Sequence, residues 1–272
     1  MSKQTKSKKI TISSLLAMKK KSEKIAMVTC YDAAFAKLIN NTSLDIVLVG
    51  DSMGNVVLGF EGTISVSMDH MTHHCAAVSR GLASQFLVAD MPFMSYSGSL
   101  DRALQNAGRL LQEGGAHGVK LEGGKEICHT VKAIVESGIP VMGHLGLTPQ
   151  KIHSLGGYKV QGRGEQAQAI EEAALALQEA GCFSIVLELV PEELAERVTK
   201  SLDIPTIGIG AGPKTDGQVL VLHDLLGFDA GFRPKFLKTY EELGERITTA
   251  LQSYSADVKS MSFPSDEHSF KD

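Results

Sequence analysis

The sequence predicts a (β/α)8 barrel, and three observations carry that prediction. Eight short β-type runs are spread over about 250 residues, a length and unit count that match a closed barrel. Most of the runs are continuously apolar rather than alternating, as strands buried on both faces are. Helical periodicity separates many of them, which implies a parallel sheet with right-handed crossovers. A doubly wound open sheet is the rival arrangement. No G-x-G-x-x-G follows the first strand, so the dinucleotide-binding version of that rival has no support.

The strand candidates, in order, are "AMVTC" (26–30), "LDIVLVG" (44–50), "QFLVAD" (85–90) and "HGVKLE" (117–122), then "IPVMGH" (139–144), "FSIVLE" (183–188), "IPTIGIG" (204–210) and "QVLVL" (218–222). After Ser99, "LDRALQNAGRLLQEGG" puts Ala103, Leu104, Ala107 and Leu111 on one stripe, and Gly114 stands at the C-cap glycine position. "KEICHTVKAIVESG" repeats the pattern with Ile127, Val131, Ile134 and Gly138. "EQAQAIEEAALALQEAG" does so with Ala167, Ile170, Ala174, Leu177 and Gly181. Pro191 suits the first turn of another helix, with Glu192 and Glu193 at its positive end. A last amphipathic stretch carries Tyr240, Leu243, Ile247 and Leu251. The barrel domain is expected over 9–255, after a flexible arm at 1–8 and before a loose tail at 256–272.

Composition sets the chemical setting. With 43% hydrophobic and 21% charged residues, the 272-residue chain has the make-up of an ordinary soluble protein. No apolar stretch reaches the roughly 18–20 residues that span a bilayer. A net charge of −4 argues against a nucleic-acid footprint. Cys30, Cys75, Cys128 and Cys182 are far apart and form no CxxC pair. Reduced thiols and a cytoplasmic location are therefore expected, with no structural zinc site. The basic start "MSKQTKSKK" lacks the apolar core of a signal peptide.

In a (β/α)8 barrel the C-terminal strand ends open onto the active-site face. Five consecutive candidate strands end in or beside an ionisable residue: Asp51, Asp90, Glu122, His144 and Glu188. Strand ends often meet water, so one polar residue there means little. Four carboxylates converging on one mouth repel each other and call for a positive partner. A hard divalent cation such as Mg2+ suits oxygen donors, with one or two protein carboxylates and room for water and substrate. Neither HExxH nor a cysteine–histidine ligand set favours zinc. Lys120 lies two residues before Glu122 and shares its side of the strand. It either binds a substrate carboxylate or forms a plain ion pair with a neighbouring acid. Ser52 either donates to the same substrate or is a solvent-facing turn serine. His144 orients substrate, supports a base, or is a hydrogen-bonded core histidine.

Seven motifs in one order carry a resemblance. They are "VGDSMGNV", "VADMPFMSY", "GVKLEGG", "PVMGHLGLTPQ", "GGYKVQGR", "FSIVLELVP" and "PTIGIGAGPKTDGQVLVLHDLLG". Over about residues 9–255 the chain resembles the 3-methyl-2-oxobutanoate (ketopantoate) hydroxymethyltransferase family. The resemblance implies a Mg2+-binding (β/α)8 barrel that assembles as a decamer. It implies one-carbon transfer from 5,10-methylenetetrahydrofolate to 3-methyl-2-oxobutanoate, giving 2-dehydropantoate for pantothenate and coenzyme A. By motif match, Asp51 and Asp90 would hold the metal and touch substrate, with Glu122 supporting the metal through water. Ser52 and Lys120 would hold the substrate carboxylate, and Glu188 would be the general base. The residues fit that chemistry in their own right. A 2-oxo acid chelates Mg2+, which stabilises the enolate left when the C3 proton departs. A base between Leu187 and Leu189 has the apolar flanks that raise a carboxyl pKa toward neutrality.

Two other readings stay open at this point: a Mg2+-dependent lyase or mutase acting on oxaloacetate or phosphoenolpyruvate, and a catalytically silent barrel serving as a scaffold. Three further features need placing. His70, His73 and His74 share one helical face, either as a metal site or on a surface or interface helix. "GIGAGP" is either a phosphate cradle or a tight turn. The long segment "LGLTPQKIHSLGGYKVQGRG" has the length of a lid over substrate or folate, with Gly156 and Gly157 as flexing points.

Overall fold

The computed structural model describes residues 9–229, 231 and 233–272. The expected arm at 1–8 lies outside the described residues. Eight strands form the sheet: β1 (Ile25–Thr29), β2 (Ile46–Val49), β3 (Phe86–Asp90), β4 (Gly118–Glu122), β5 (Val141–Gly146), β6 (Ser184–Glu188), β7 (Thr206–Ile209) and β8 (Gly217–Leu220). They close in chain order into one parallel barrel, with β8 pairing back to β1. The fold is the (β/α)8 barrel, and each expected strand appears within two residues of its reading. β2, β3 and β4 are buried at every position, which is why they read as unbroken apolar runs.

The helices form where periodicity and caps coincide. Ser99 accepts from the Arg102 N–H to start Leu100–Gln112, and Ala103, Ala107 and Leu110 are buried. The left-handed glycine after that helix is Gly115 (φ 73°) rather than the expected Gly114, because the chain runs one residue further before turning. Gly138 and Gly181 are left-handed as read. Pro191 stands at the N-cap of Glu192–Ser201, one position before its expected place.

The barrel interior is layered. Alternate residues of the strands point inward, giving Ile25 and Met27, Ile46 and Leu48, Phe86 and Val88, Met142, Val186, Ile207 and Val219. Leu15, wholly buried, joins this cluster from the helix Ile12–Lys20, with Ile10, Ile12 and Met18 packed beside it. That helix was not read from the sequence. Its apolar stripe is narrow, and it is held by tertiary contacts: Ile10 N–H donates to Ser84 (2.8 Å), and Lys19 pairs with Asp216 (2.8 Å).

Residues 222–272 form a second compact unit. Taken by itself, it contains the turn of helix Leu222–Leu225 and the helix Leu243–Lys259, joined by bonds such as Leu243 N–H to Leu226 (2.9 Å). The expected boundary at 255 falls inside this helix, which continues to Lys259. All four cysteines are free.

Leu15→Ala should cost about 2–5 kcal/mol, because it empties a wholly buried site under the barrel core. Urea unfolding midpoints compare it with the parent; an unchanged midpoint would show that the helix does not stabilise the barrel.

Candidate active site

Three of the inward rows that build the barrel interior lead to ionisable groups. On β3 the row Phe86, Val88 continues to Asp90. On β6, Ser184 and Val186 lead to Glu188, and on β5 Met142 leads to His144. Strand register sets Asp90 beside Lys120, Glu122 beside His144, and Gly146 beside Glu188. Two expectations shift slightly. Asp51 lies two residues past β2, in the turn, and His144 lies two residues before the end of β5 rather than at it. Asp51, Asp90, Lys120, Glu122 and His144 are all under 5% exposed. The Glu188 side chain keeps 16% exposure, so it is less enclosed than its apolar flanks implied.

These groups form one connected cluster. Lys120 Nζ lies 2.8 Å from Asp90 Oδ1 and 3.2 Å from His144 Nδ1. The lysine is thus paired with Asp90, not with its strand neighbour Glu122. The ammonium meets Asp90 Oδ1 at ion-pair distance but outside hydrogen-bond angles. His144 Nδ1 is 3.4 Å from Glu122 Oε1, and Nε2 is 3.2 Å from Glu188 Oε2, the latter also off the hydrogen-bond angle. The Asp51 N–H donates to Asp90 Oδ2 (3.0 Å), which fastens the turn after β2 to the end of β3. Ser52 Oγ is 2.9 Å from the hydroxyl of the buried Tyr31.

The charges are unequally compensated. Burial and the Lys120 charge oppose protonation of His144, but Glu122 and Glu188 outweigh them and push its pKa up to about 9. Burial also opposes ionisation of Glu122, yet the His144 bond, the Lys120 charge and the Gln150 N–H hold it below the usual carboxylate range. Asp51 is the opposite case. Burial, then the charges of Asp90 and Glu122, drive its pKa well above a free carboxylate's. With His144 protonated, four carboxylates face two cations, which leaves two negative charges in excess, and Asp51 is the acid with no ion-pair partner.

That imbalance fits a hard divalent cation beside Asp51 and Asp90. No three His, Cys, Asp or Glu side chains converge as a ready-made cage among the described residues. An ion held by two carboxylates, with other positions left for water and substrate oxygens, matches the preference of Mg2+. Both Glu122 oxygens have protein partners, His144 and the Gln150 N–H, which suits an outer supporting place.

Sequence reasoning missed Gln150, Tyr96 and Tyr31. Gln150 is 4% exposed and donates to Asp51 Oδ2 (2.8 Å); Tyr96 donates to Gln150 Oε1 (2.8 Å). Both stand inside the quoted motifs, and a glutamine or tyrosine following apolar residues was the only signal available. The three histidines do not converge on one site: His73 packs edge-on against His74, and the other two are bonded elsewhere. His70 Nδ1 accepts from Ser67 N–H at the start of Met68–Gly81, and His74 Nδ1 contacts the Tyr31 carbonyl (2.7 Å). In "GIGAGP", Ala211 is wholly buried, and a Cβ on Gly212 would come within 2.7 Å of Glu192, so the stretch is a packed turn. The long segment after β5 contains a turn at Pro149–Lys151 and a short helix, Ile152–Leu155. Gln161 N–H ties it to the Leu189 carbonyl at the end of β6 (2.8 Å).

A family model described as ketopantoate hydroxymethyltransferase matches residues 9–266. The chain belongs to the ketopantoate hydroxymethyltransferase family. The match passes the expected limit at 255 and takes in part of what was read as a tail. The 3-methyl-2-oxobutanoate hydroxymethyltransferase of Syntrophus aciditrophicus is 55% identical, over 99% of this chain and all of its own. The enzyme of the same name from Pelobacter propionicus is 54% identical, over 97% of this chain and 98% of its own. Members of this hydroxymethyltransferase family are transferases, and this chain is an enzyme of that class. Solved structures similar in fold include a phosphonopyruvate hydrolase (TM-score 0.62, 11% identity, 97% of this chain and 92% of that one). A 2,3-dimethylmalate lyase of the PEP mutase/isocitrate lyase superfamily is also similar (TM-score 0.59, 12% identity, 95% and 91%).

Lys120→Met keeps most of the side-chain volume and leaves Asp90 buried without its cation. It should destabilise the protein by about 3–5 kcal/mol. Chemical unfolding measures this; a loss near zero would mean that Asp90 finds other compensation.

Proposed function

We propose that this enzyme transfers a one-carbon unit from 5,10-methylenetetrahydrofolate to 3-methyl-2-oxobutanoate. One water is consumed, and 2-dehydropantoate and tetrahydrofolate are released. The observation that carries this reading is the buried cluster at the barrel mouth, where Asp51, Asp90, Glu122 and Glu188 surround Lys120 and His144. It has acids for a metal, a cation for a carboxylate, and a base at its edge.

Asp51 and Asp90 would hold Mg2+, with Glu122 supporting it. Bound there, Mg2+ supplies Lewis-acid stabilisation of the enolate of the 2-oxo acid. Lys120 and Ser52 bind the substrate carboxylate, one as a point charge and the other as a donor. Glu188 takes the C3 proton, with His144 beside it to fix its orientation. C3, once deprotonated, would bond to the one-carbon unit as that carbon's two bonds to the folate nitrogens break, and the consumed water would supply the oxygen of the new hydroxymethyl group. The long segment after β5 would cover the bound reactants. A cytoplasmic decamer of this chain completes the reading. No helix among the described residues is long and apolar enough to cross a membrane.

The deciding assay is consumption of 3-methyl-2-oxobutanoate with and without the folate. Turnover that ignores folate would replace this reading with a Mg2+-dependent lyase. Asp90→Asn, folded by circular dichroism, should abolish Mg2+-dependent binding of the 2-oxo acid in calorimetry; parent-like affinity would move the metal elsewhere. Glu188→Gln should bind substrate and slow exchange of the C3 proton with solvent deuterium by about 10²–10⁴-fold. Parent-like exchange would remove Glu188 as the base.

A further inference from the structure

Gln150 reaches into the cluster from a loop, and its side chain and backbone touch two of the acids. It lies in the turn Pro149–Lys151, whose first residue has its φ fixed by the proline ring. Its N–H donates to Glu122 Oε2 (3.0 Å). Its amide nitrogen donates to Asp51 Oδ2 (2.8 Å) and to the Met91 carbonyl (2.9 Å). Its amide oxygen accepts from the Tyr96 hydroxyl (2.8 Å), which also lies 3.0 Å from the Glu122 carbonyl. The amide orientation is unambiguous, because a flipped group would set its oxygen against a carboxylate and a carbonyl.

A loop anchor needs only the backbone bond to Glu122. The side chain does more, since a donor at Oδ2 restricts rotation of the Asp51 carboxylate. With Tyr96 on one end of the amide and Met91 on the other, the donor itself cannot turn away. Both hydrogens and the oxygen of the Gln150 amide have partners, and buried networks of this kind hold a geometry that solvent-exposed groups do not.

We propose that Gln150 is a positioning residue that sets the Asp51 carboxylate for a divalent cation, with Tyr96 locking the amide. This rests on the reading of Asp51 as a Mg2+ ligand. Groups that orient a metal's ligands change its affinity by about 10- to 100-fold when removed.

The test titrates Mg2+ into the full-length protein by calorimetry at saturating 3-methyl-2-oxobutanoate, with Mn2+ and its electron paramagnetic resonance spectrum as a second probe. Gln150→Leu should weaken Mg2+ binding about 10- to 100-fold and broaden the Mn2+ spectrum. Its turnover should recover as Mg2+ is raised, so that the Mg2+ requirement changes more than kcat. Parent-like Mg2+ affinity in folded Gln150→Leu overturns the positioning role and leaves Asp51 as a ligand. A kcat that stays low at saturating Mg2+ also overturns it, in favour of a purely structural role. No Mg2+ binding by the parent protein removes both this inference and the metal reading. If Gln150→Leu does not fold, Tyr96→Phe decides: it keeps Gln150 but frees its oxygen. It should weaken Mg2+ binding several-fold, and unchanged affinity overturns the proposal.

Discussion

The structure depends on keeping like charges together away from water. Asp51, Asp90 and Glu122 are nearly inaccessible, and a buried carboxylate without compensation is costly. Glu122 is compensated by His144 and the Gln150 N–H, and Asp90 by Lys120 and the Asp51 N–H. Asp51 has an amide donor but no cation of its own, and its pKa rises accordingly. Two cations against four carboxylates leave the cluster negative, and Asp51 is the acid without an ion-pair partner. Such an acid keeps its proton more readily than a free carboxylate, and a positive ligand beside it would relieve the same repulsion.

The barrel makes this arrangement possible through period and register. The inward rows of β3 and β5 are apolar at the base and end in or near an ionisable residue, so one alternation specifies both core and site there. Because neighbouring strands pair Asp90 with Lys120 and Glu122 with His144, the ion pairs follow from backbone hydrogen bonding. A one-residue slip in β4 would turn Lys120 and Glu122 outward together. The apolar floor fixes that register, and Leu15 packs beneath it. Core and site are therefore one design, in which packing far from the mouth decides which charges meet there.

Much of this was legible in the sequence. Uninterrupted apolar runs ending in Asp90, Glu122 and Glu188 placed those residues at one rim, since strand period and barrel topology leave few other arrangements. The same reading set His144 at a strand end and Asp51 beside one, errors of two residues and one residue in the strand ends. It left the partner of Lys120 undecided, because Asp90 lies 30 residues earlier and only register joins them. Gln150, Tyr96 and Tyr31 escaped because they act from turns, where no periodicity reports a side chain's direction. The helix Ile12–Lys20 escaped because tertiary contact, not amphipathicity, holds it. The stretch read from Tyr240, Leu243, Ile247 and Leu251 is the helix Leu243–Lys259, which starts after Tyr240 and runs past the expected domain limit at 255.

The gradient of exposure across the cluster sorts its members by task. Counting side chains alone, Lys120 and Asp90 are 5% and 4% exposed, Glu122 only 1%, and Glu188 16%. Under the proposed reaction, groups that hold a metal and a carboxylate gain from dryness, because low dielectric strengthens each attraction. A base has the opposite need: its proton must leave between turnovers. Glu188 meets that need at the wetter edge, while His144 holds it from the dry side through Nε2. The imidazole therefore stands at the boundary between a sealed electrostatic floor and an exchangeable rim. Its two nitrogens face Glu122 and Glu188, which under the proposed reaction would be the carboxylate that supports the ion and the carboxylate that moves the proton.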